Sequence, residues 1–253
     1  MTVPYKEFGT EHSQVIVLLH GGGLSWWNYR DAARILSERY HVVLPILDGH
    51  GGSPRAFTTM ESCADAIIRL VERHWKGKVL ALGGLSLGGQ VALEILSRKP
   101  DFCPYALIES ALVKPMKLTN LLIGPSMDMS FGLIQKKWFS KLQFAWLGMP
   151  WELFDDYYRD TCAITKESMT AFLKANSAYT IKPALSQNRA KVLVVCGSRE
   201  TGKIKSSAGR LRDAIPGSRL EIRKGFVHGE LSMGYPSQYA RMLTSLWETE
   251  RSE

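Results

Sequence analysis

Largely apolar short runs and amphipathic longer ones alternate along the 253 residues of the chain. The short runs, at 3–8, 14–19 (QVIVLL), 41–47 (HVVLPIL), 78–85 (KVLALGGL), 104–109 (PYALIE), 191–196 (KVLVVC) and 219–224, predict seven strands. Most are apolar at successive positions rather than at alternate ones, the pattern of parallel strands buried on both faces. Between them the spacing turns helical. Residues 60–75 bring Ala64, Ile67, Ile68, Val71 and Trp75 onto one face behind a Thr58-x-x-Glu61 capping box. Residues 87–98 carry Val91, Ala92, Leu93, Ile95 and Leu96, and residues 237–248 align Tyr239, Met242, Leu243 and Leu246. The alternation predicts an α/β protein: a mostly parallel, doubly wound sheet with helices on both faces.

One segment departs from this rhythm. Residues 111–185 hold no strand pattern, yet nine aromatics fall between Phe131 and Tyr158, and five of the nine methionines lie in the same segment. Phe131, Ile134, Trp138, Leu142 and Ala145 keep helical spacing. The predicted organisation is a core of residues 1–110 and 186–253 interrupted by a helical lid, or cap, at 111–185. Aromatic and methionine side chains offer large, adaptable contact area, so the lid's underside is expected to form an apolar pocket. Trp138, Phe139, Trp146 and Trp151 are its candidate substrate contacts.

Composition narrows the setting. With 45% apolar and 22% charged residues the chain is an ordinary folded protein without repeats. The N-terminal MTVPYKEFGTEHS has no apolar run flanked by basic residues, so no signal peptide is expected, and no stretch is apolar for long enough to span a bilayer. Four cysteines, at 63, 103, 162 and 196, show neither close pairing nor metal-ligand spacing, which fits a reduced, cytoplasmic location and no metal site. A net charge of +8 admits nucleic acid, an anionic membrane or an acidic substrate as partner. The basic residues are scattered, however, and their densest run, Arg199 to Lys224, alternates with apolar positions as a solvated face would. A small-molecule substrate is expected, with no nucleic-acid or membrane partner.

The chemistry lies at strand ends. Residues 83–89, GGLSLGG, place Ser86 between a predicted strand and a predicted helix, with Gly84 and Gly88 where side chains on a sharp turn would collide. This G-x-S-x-G arrangement lifts a hydroxyl above a sheet and aims the following N–H groups, from Leu87 onward, at one point. An activated serine also needs a base, an acid to orient that base, and donors for the oxyanion. His20-Gly21-Gly22-Gly23 follows the strand QVIVLL, leaving the N–H groups of Gly22, and of Gly23, open to pair with that of Leu87. Of six histidines, His228 follows the last predicted strand and precedes the last helix, whereas His20 and His50 sit in glycine-rich turns suited to structural roles. The turn GSRE after the strand 191–196 offers Glu200 as the acid, giving the chain order Ser, Glu, His.

HGGG at 20–23, GHGGS at 49–53, GLSLGG at 84–89, GSRE at 197–200 and VHGE at 227–230 together resemble the α/β-hydrolase superfamily over nearly the whole chain. The resemblance is to its small bacterial serine hydrolases with a helical lid: esterases, C–C bond hydrolases and cofactor-free haloperoxidases. It implies Ser86 as nucleophile, His228 as base, Gly22 and Leu87 N–H groups as oxyanion donors, and no cofactor. Two positions depart from the usual pattern. Ile46 stands where many relatives have Asp, with Asp48 two residues later, and the acid turn ends in Glu200 rather than Asp. Glu109, ending the strand 104–109, is an alternative acid, since some superfamily members supply it from there. The expected activity is hydrolysis of a small to medium, largely apolar ester or related acyl compound through an acyl-enzyme. A lyase or C–C bond hydrolase using the same triad, or a non-catalytic small-molecule receptor, is the alternative.

Overall fold

The computed structural model describes residues 2–248 apart from the Trp146 side chain. All seven predicted strands are present: β1 (Tyr5–Phe8), β2 (Val15–Leu19), β3 (His41–Pro45), β4 (Ala81–Leu85), β5 (Tyr105–Glu109), β6 (Lys191–Gly197) and β7 (Arg219–Arg223). They form one sheet in the order β1-β3-β2-β4-β5-β6-β7, antiparallel only where β1 meets β3. Strand β4 pairs with β2 on one side and β5 on the other, so the serine turn that follows it leaves the middle of the sheet.

The continuous apolar runs divide by parity, as side chains of period two require. Val17, Leu19, Leu82, Ile108 and Val194 face one helical layer, while Ile16, Leu18, Ala81, Leu107 and Val195 face the other. The first layer holds α2 (Met60–Trp75), α3 (Leu87–Arg98) and α8 (Gly202–Ala214). The second holds α1 (Arg30–Leu36) and α10 (Pro236–Glu248), with the five-residue α9 (Glu230–Gly234) leading into α10. Helix α2 starts one residue later than its predicted cap. Thr59, not Thr58, is the N-cap and accepts a 3.0 Å hydrogen bond from Ser62 N–H, while Glu61 is drawn outward to Lys182 at 2.9 Å.

Between β5 and β6 the chain is helical, as the missing strand pattern predicts: α4 (Lys117–Ile134), α5 (Lys137–Leu147), α6 (Phe154–Cys162) and α7 (Lys166–Ala178). The apparent helical run from Phe131 to Ala145 is in fact two helices. The chain breaks at Gln135–Lys136, so Phe131 and Ile134 close α4 while Trp138, Leu142 and Ala145 belong to α5. All four cysteines are free, and Cys63, Cys103 and Cys196 are buried.

Candidate active site

Ser86 sits at φ 52°, ψ −110°, a conformation that costs a non-glycine residue on the order of 1–3 kcal/mol. The neighbours hold it there. Its N–H donates to the Glu109 carbonyl of β5 at 2.8 Å, and its own carbonyl accepts from Gln90 N–H at 3.0 Å. The flanking glycines are required by close approach: a β-carbon on Gly84 would lie 2.4 Å from the Gly88 carbonyl oxygen, and one on Gly88 would lie 2.1 Å from that of Leu19. Helix α3 therefore begins directly at the turn, and the first N–H groups of a helix have no acceptor within it. That of Leu87 is the first.

The Gly22 turn comes alongside. A β-carbon on Gly22 would be 3.5 Å from the Leu87 side chain. Two side chains shape this turn: Asn28, for which no role is predicted, and His20, which is expected to be structural. Asn28 Oδ1 accepts from Gly21 N–H at 3.1 Å, and the buried His20 accepts from Leu47 N–H through Nε2 at 3.1 Å while its Nδ1 lies 2.9 Å from the Gly21 carbonyl. Accepting at Nε2 fixes the proton on Nδ1. Burial, reinforced by the nearby His50, pushes the His20 imidazole down to about 3, so it stays neutral; burial likewise lowers His50 to about 4. The structural roles expected for these two histidines agree with that geometry.

His228 and Glu200 meet. Imidazole Nδ1 lies 2.8 Å from Glu200 Oε2, while Glu200 Oε1 accepts from Ser110 Oγ at 2.7 Å and Gly197 N–H at 2.8 Å. Burial pushes the Glu200 carboxyl upward, but the hydrogen bonds from His228, Ser110 and Gly197 outweigh it and hold the group below the ordinary carboxylate value. The imidazole itself is 45% exposed, with Nδ1 turned to the carboxylate. Glu109, although it ends the adjacent strand, has different partners. Its Oε1 accepts from Leu231 N–H at 3.1 Å and Ser232 N–H at 3.4 Å in α9, and its Oε2 is buried without a hydrogen bond. Burial pushes its carboxyl up to about 7.

Ser86 and His228 face a common groove of about 640 Å³, lined also by the apolar Leu112, Met116 and Ile204 and the polar Asn176, Thr201 and Lys203. Polar ties set the wall: Gln90 donates to the Leu112 carbonyl at 2.6 Å and exchanges hydrogen bonds with Asn176. Trp138 and Phe139 are not among the groove's lining residues. Trp138 is largely exposed and meets Phe139 edge-on, while Phe139 packs on the core. Trp151 lines a second recess of about 370 Å³, which His228 also borders. The Trp146 side chain lies outside the described residues. The aromatic density serves mainly to build a small core around the fully buried Phe144, which contacts Trp151, Phe154 and Tyr157. Among the described residues no cluster of three or more His, Cys, Asp or Glu side chains could hold a metal ion.

Comparison with known proteins agrees with this architecture. The profile of the family described as "Alpha/beta hydrolase family" matches residues 16–239. The "uncharacterized hydrolase YugF" of Bacillus subtilis is 27% identical over 145 residues, 56% of this chain and 52% of that protein. A pimeloyl-[acyl-carrier protein] methyl ester esterase of Aromatoleum aromaticum is 35% identical over 85 residues, 34% of this chain and 32% of that one. The matches thus span about half the length of the first relative and about a third of the second. Among solved structures, a thermophilic esterase from Thermogutta terrifontis superimposes with a TM-score of 0.77 over 96% of this chain and 92% of the other at 18% identity, a likeness of fold.

Proposed function

Because the chain belongs to the alpha/beta hydrolase family, we propose that it is a serine hydrolase acting on small to medium, largely apolar esters, with Ser86, His228 and Glu200 as its triad. The observation that carries this reading is the pairing of a serine at φ 52° with an imidazole in one groove, the imidazole held at 2.8 Å by a buried carboxylate. A carboxylate only accepts, so the Nδ1 facing Glu200 bears the proton and Nε2 is left as the acceptor that a general base requires.

In the proposed cycle His228 Nε2 takes the Ser86 proton as Oγ attacks the ester carbonyl. Glu200 keeps the imidazole in the productive tautomer and offsets its positive charge. The tetrahedral oxyanion accepts hydrogen bonds from the N–H groups of Leu87 and Gly22, joined by that of Gly23, in a site preorganised by the Asn28 and His20 contacts. Collapse expels the alcohol, which takes its proton from His228. Water deprotonated by the same imidazole then attacks the acyl-enzyme, releasing the acid and restoring Ser86. No step calls for a cofactor. The apolar wall of Leu112, Met116 and Ile204 suits an acyl or alkyl chain, and residues 111–185 act as the lid over it. Relatives that carry hydrolase and esterase names agree with ester chemistry.

A fluorophosphonate probe tests the reading. Covalent labelling is expected on Ser86 and lost in Ser86→Ala, together with turnover of p-nitrophenyl esters. Labelling that persists in Ser86→Ala, or ester turnover unaffected by it, would overturn the assignment.

A further inference from the structure

Helix α4 is apolar on two opposite faces, and a single chain uses only one. Inward, Ile123 and Ile134 are buried and Met127 and Phe131 pack on the core. Asn120 fastens the same face, donating to the Lys174 carbonyl at 2.7 Å and Ser177 Oγ at 2.8 Å. Outward, Leu118, Leu121, Leu122, Met129 and Leu133 recur at helical spacing within a 120° stripe. Leu118 and Leu121 are each 72% exposed and Met129 87%. The next helix repeats the feature, with Trp138 62% and Leu142 69% exposed one turn apart. Scattered exposed leucines are normal, but a stripe running over about four turns is not.

The charges carried by this stretch are predominantly positive. Between Ala111 and Leu147 there are five lysines, Lys114, Lys117, Lys136, Lys137 and Lys141, against one acidic residue, Asp128. All five lysines are exposed; Asp128 is already engaged by Lys166 at 2.6 Å, and Lys137 lies 3.8 Å from the exposed Asp155 of α6, leaving the other four to set the local charge. They flank the apolar stripe at both ends of α4 and interleave with the exposed face of α5. Outward leucines and methionine bordered by lysines, with an exposed tryptophan beside them, form the composition that lies in a bilayer interface: apolar side chains among the acyl chains, ammonium groups at anionic headgroups. Two copies of this chain meeting through the same face would bring lysine against lysine, whereas an anionic lipid surface supplies the missing charge. Helix α4 also starts one residue after Met116, which lines the groove beside Ser86.

We infer that the outer face of α4 and α5 docks the protein on anionic phospholipid bilayers, without any span: among the described residues no helix is long and apolar enough to cross a membrane. A docked molecule presents the groove mouth next to the lipid surface, where apolar esters concentrate.

The test is co-flotation of the full chain with vesicles of phosphatidylcholine alone or containing about a third phosphatidylglycerol. Binding to the anionic vesicles is expected to exceed that to the neutral ones by about tenfold or more at low salt, and to weaken as salt is raised. The double variant Leu121→Glu, Met129→Glu should lose binding about tenfold. The variant Lys136→Glu, Lys137→Glu should lose the preference for anionic lipid. Both should retain circular dichroism and turnover of a water-soluble ester. Ser86→Ala should float like the parent chain, which separates this inference from the catalytic reading. Absence of flotation on either vesicle, binding unchanged in both variants, or a concentration-dependent dimer abolished by Leu121→Glu without vesicle binding would each overturn it.

Discussion

Replacing Glu200 by Gln keeps the shape of the side chain and removes one property, its ability to accept at both oxygens. Both are in use: Oε1 accepts from Ser110 Oγ and Gly197 N–H, and Oε2 faces His228 Nδ1 at 2.8 Å. Gly197 N–H can only donate, so the new amide turns its carbonyl oxygen that way and its NH2 toward the imidazole. Nδ1 must then accept, the proton moves to Nε2, and the ring presents a donor to Ser86 where a base is needed. A wrong tautomer in an otherwise intact triad lowers kcat by roughly 10³–10⁴, about 4–5.5 kcal/mol on the barrier. Glu109→Gln makes the useful contrast, because its Oε1 accepts from Leu231 and Ser232 N–H groups and a carbonyl oxygen can do the same. Its kcat should fall less than about tenfold. The assay is steady-state hydrolysis of a p-nitrophenyl ester by both variants, each shown by circular dichroism and thermal unfolding to be folded. A loss of about 10³ in Glu109→Gln, with Glu200→Gln within about tenfold of the parent, would refute the reasoning and move the acid to Glu109.

Ser86→Ala should fold like the parent and lose about 10³-fold or more in kcat on the same ester, measured with enough enzyme to exclude traces of the parent protein. Medium-chain esters should exceed acetate esters in kcat/KM by up to about fourfold per buried methylene, from roughly 0.8 kcal/mol each, and Leu112→Ala or Met116→Ala should flatten that profile; an unchanged profile places the chain elsewhere. Stability should also depend on Glu109. Its carboxyl goes from an ordinary 4.5 to about 7 on burial, so the folded state holds the proton more tightly than the unfolded state. That contribution is fully present below about pH 4.5 and is lost as pH rises through about 7, at most about 3 kcal/mol. Glu109→Gln should therefore show a smaller fall in denaturant stability between pH 5 and 8 than the parent, and identical pH dependence would contradict the burial argument.

The strands were legible because a parallel strand buried on both faces is apolar at successive positions, and each parity meets a different helical layer, as Ile16 and Val17 do. The pairing of His228 with Glu200 was legible for a related reason. Parallel strands all end on one edge of the sheet, so residues just past β4, β6 and β7 gather there whatever their separation in sequence. Contacts that depend on side-chain direction were not. Glu109 and Glu200 follow adjacent strands, and only the structure sends one to α9 and the other to the imidazole. Nor did any spacing signal that Leu112, Met116, Asn176 and Ile204 share a groove wall, because they come from three separate segments. The histidine that orients the Gly21 turn was readable as structural, but its tautomer follows from Leu47 N–H, 27 residues away.

The segment between β5 and β6 shows why aromatic density misled. Apolar periodicity reports that a face avoids water, not which surface covers it. Here the apolar residues serve three separate purposes: an inner core around Phe144, a seam against the main core through Met127 and Phe131, and the outward stripe of α4. Only Trp151 of the predicted contacts with described side chains reaches a recess beside His228. The fastening of the segment is likewise uneven. On the α6 and α7 side, Trp27 Nε1 donates to Asp160 at 2.8 Å, Arg30 pairs with Asp156 at 3.0 Å, Thr161 Oγ1 donates to the Gly23 carbonyl at 3.2 Å, and Phe57 N–H donates to Ser168 Oγ at 3.3 Å. Two of these bonds involve buried partners whose loss would leave polar groups unsatisfied, at about 1–3 kcal/mol each. A lid that opened by lifting as a whole would break all four and release the Gly23 carbonyl beside the proposed oxyanion donors. Helix α4 is tied to α7 as well, Asn120 donating to the Lys174 carbonyl at 2.7 Å and to Ser177 Oγ at 2.8 Å, so it could lift away only by breaking those bonds too. The groove itself is lined from the segment before α4, from α7 and from the start of α8, through Leu112, Met116, Asn176 and Ile204, so its wall holds while the outer face of α4 and α5 stays turned away from it.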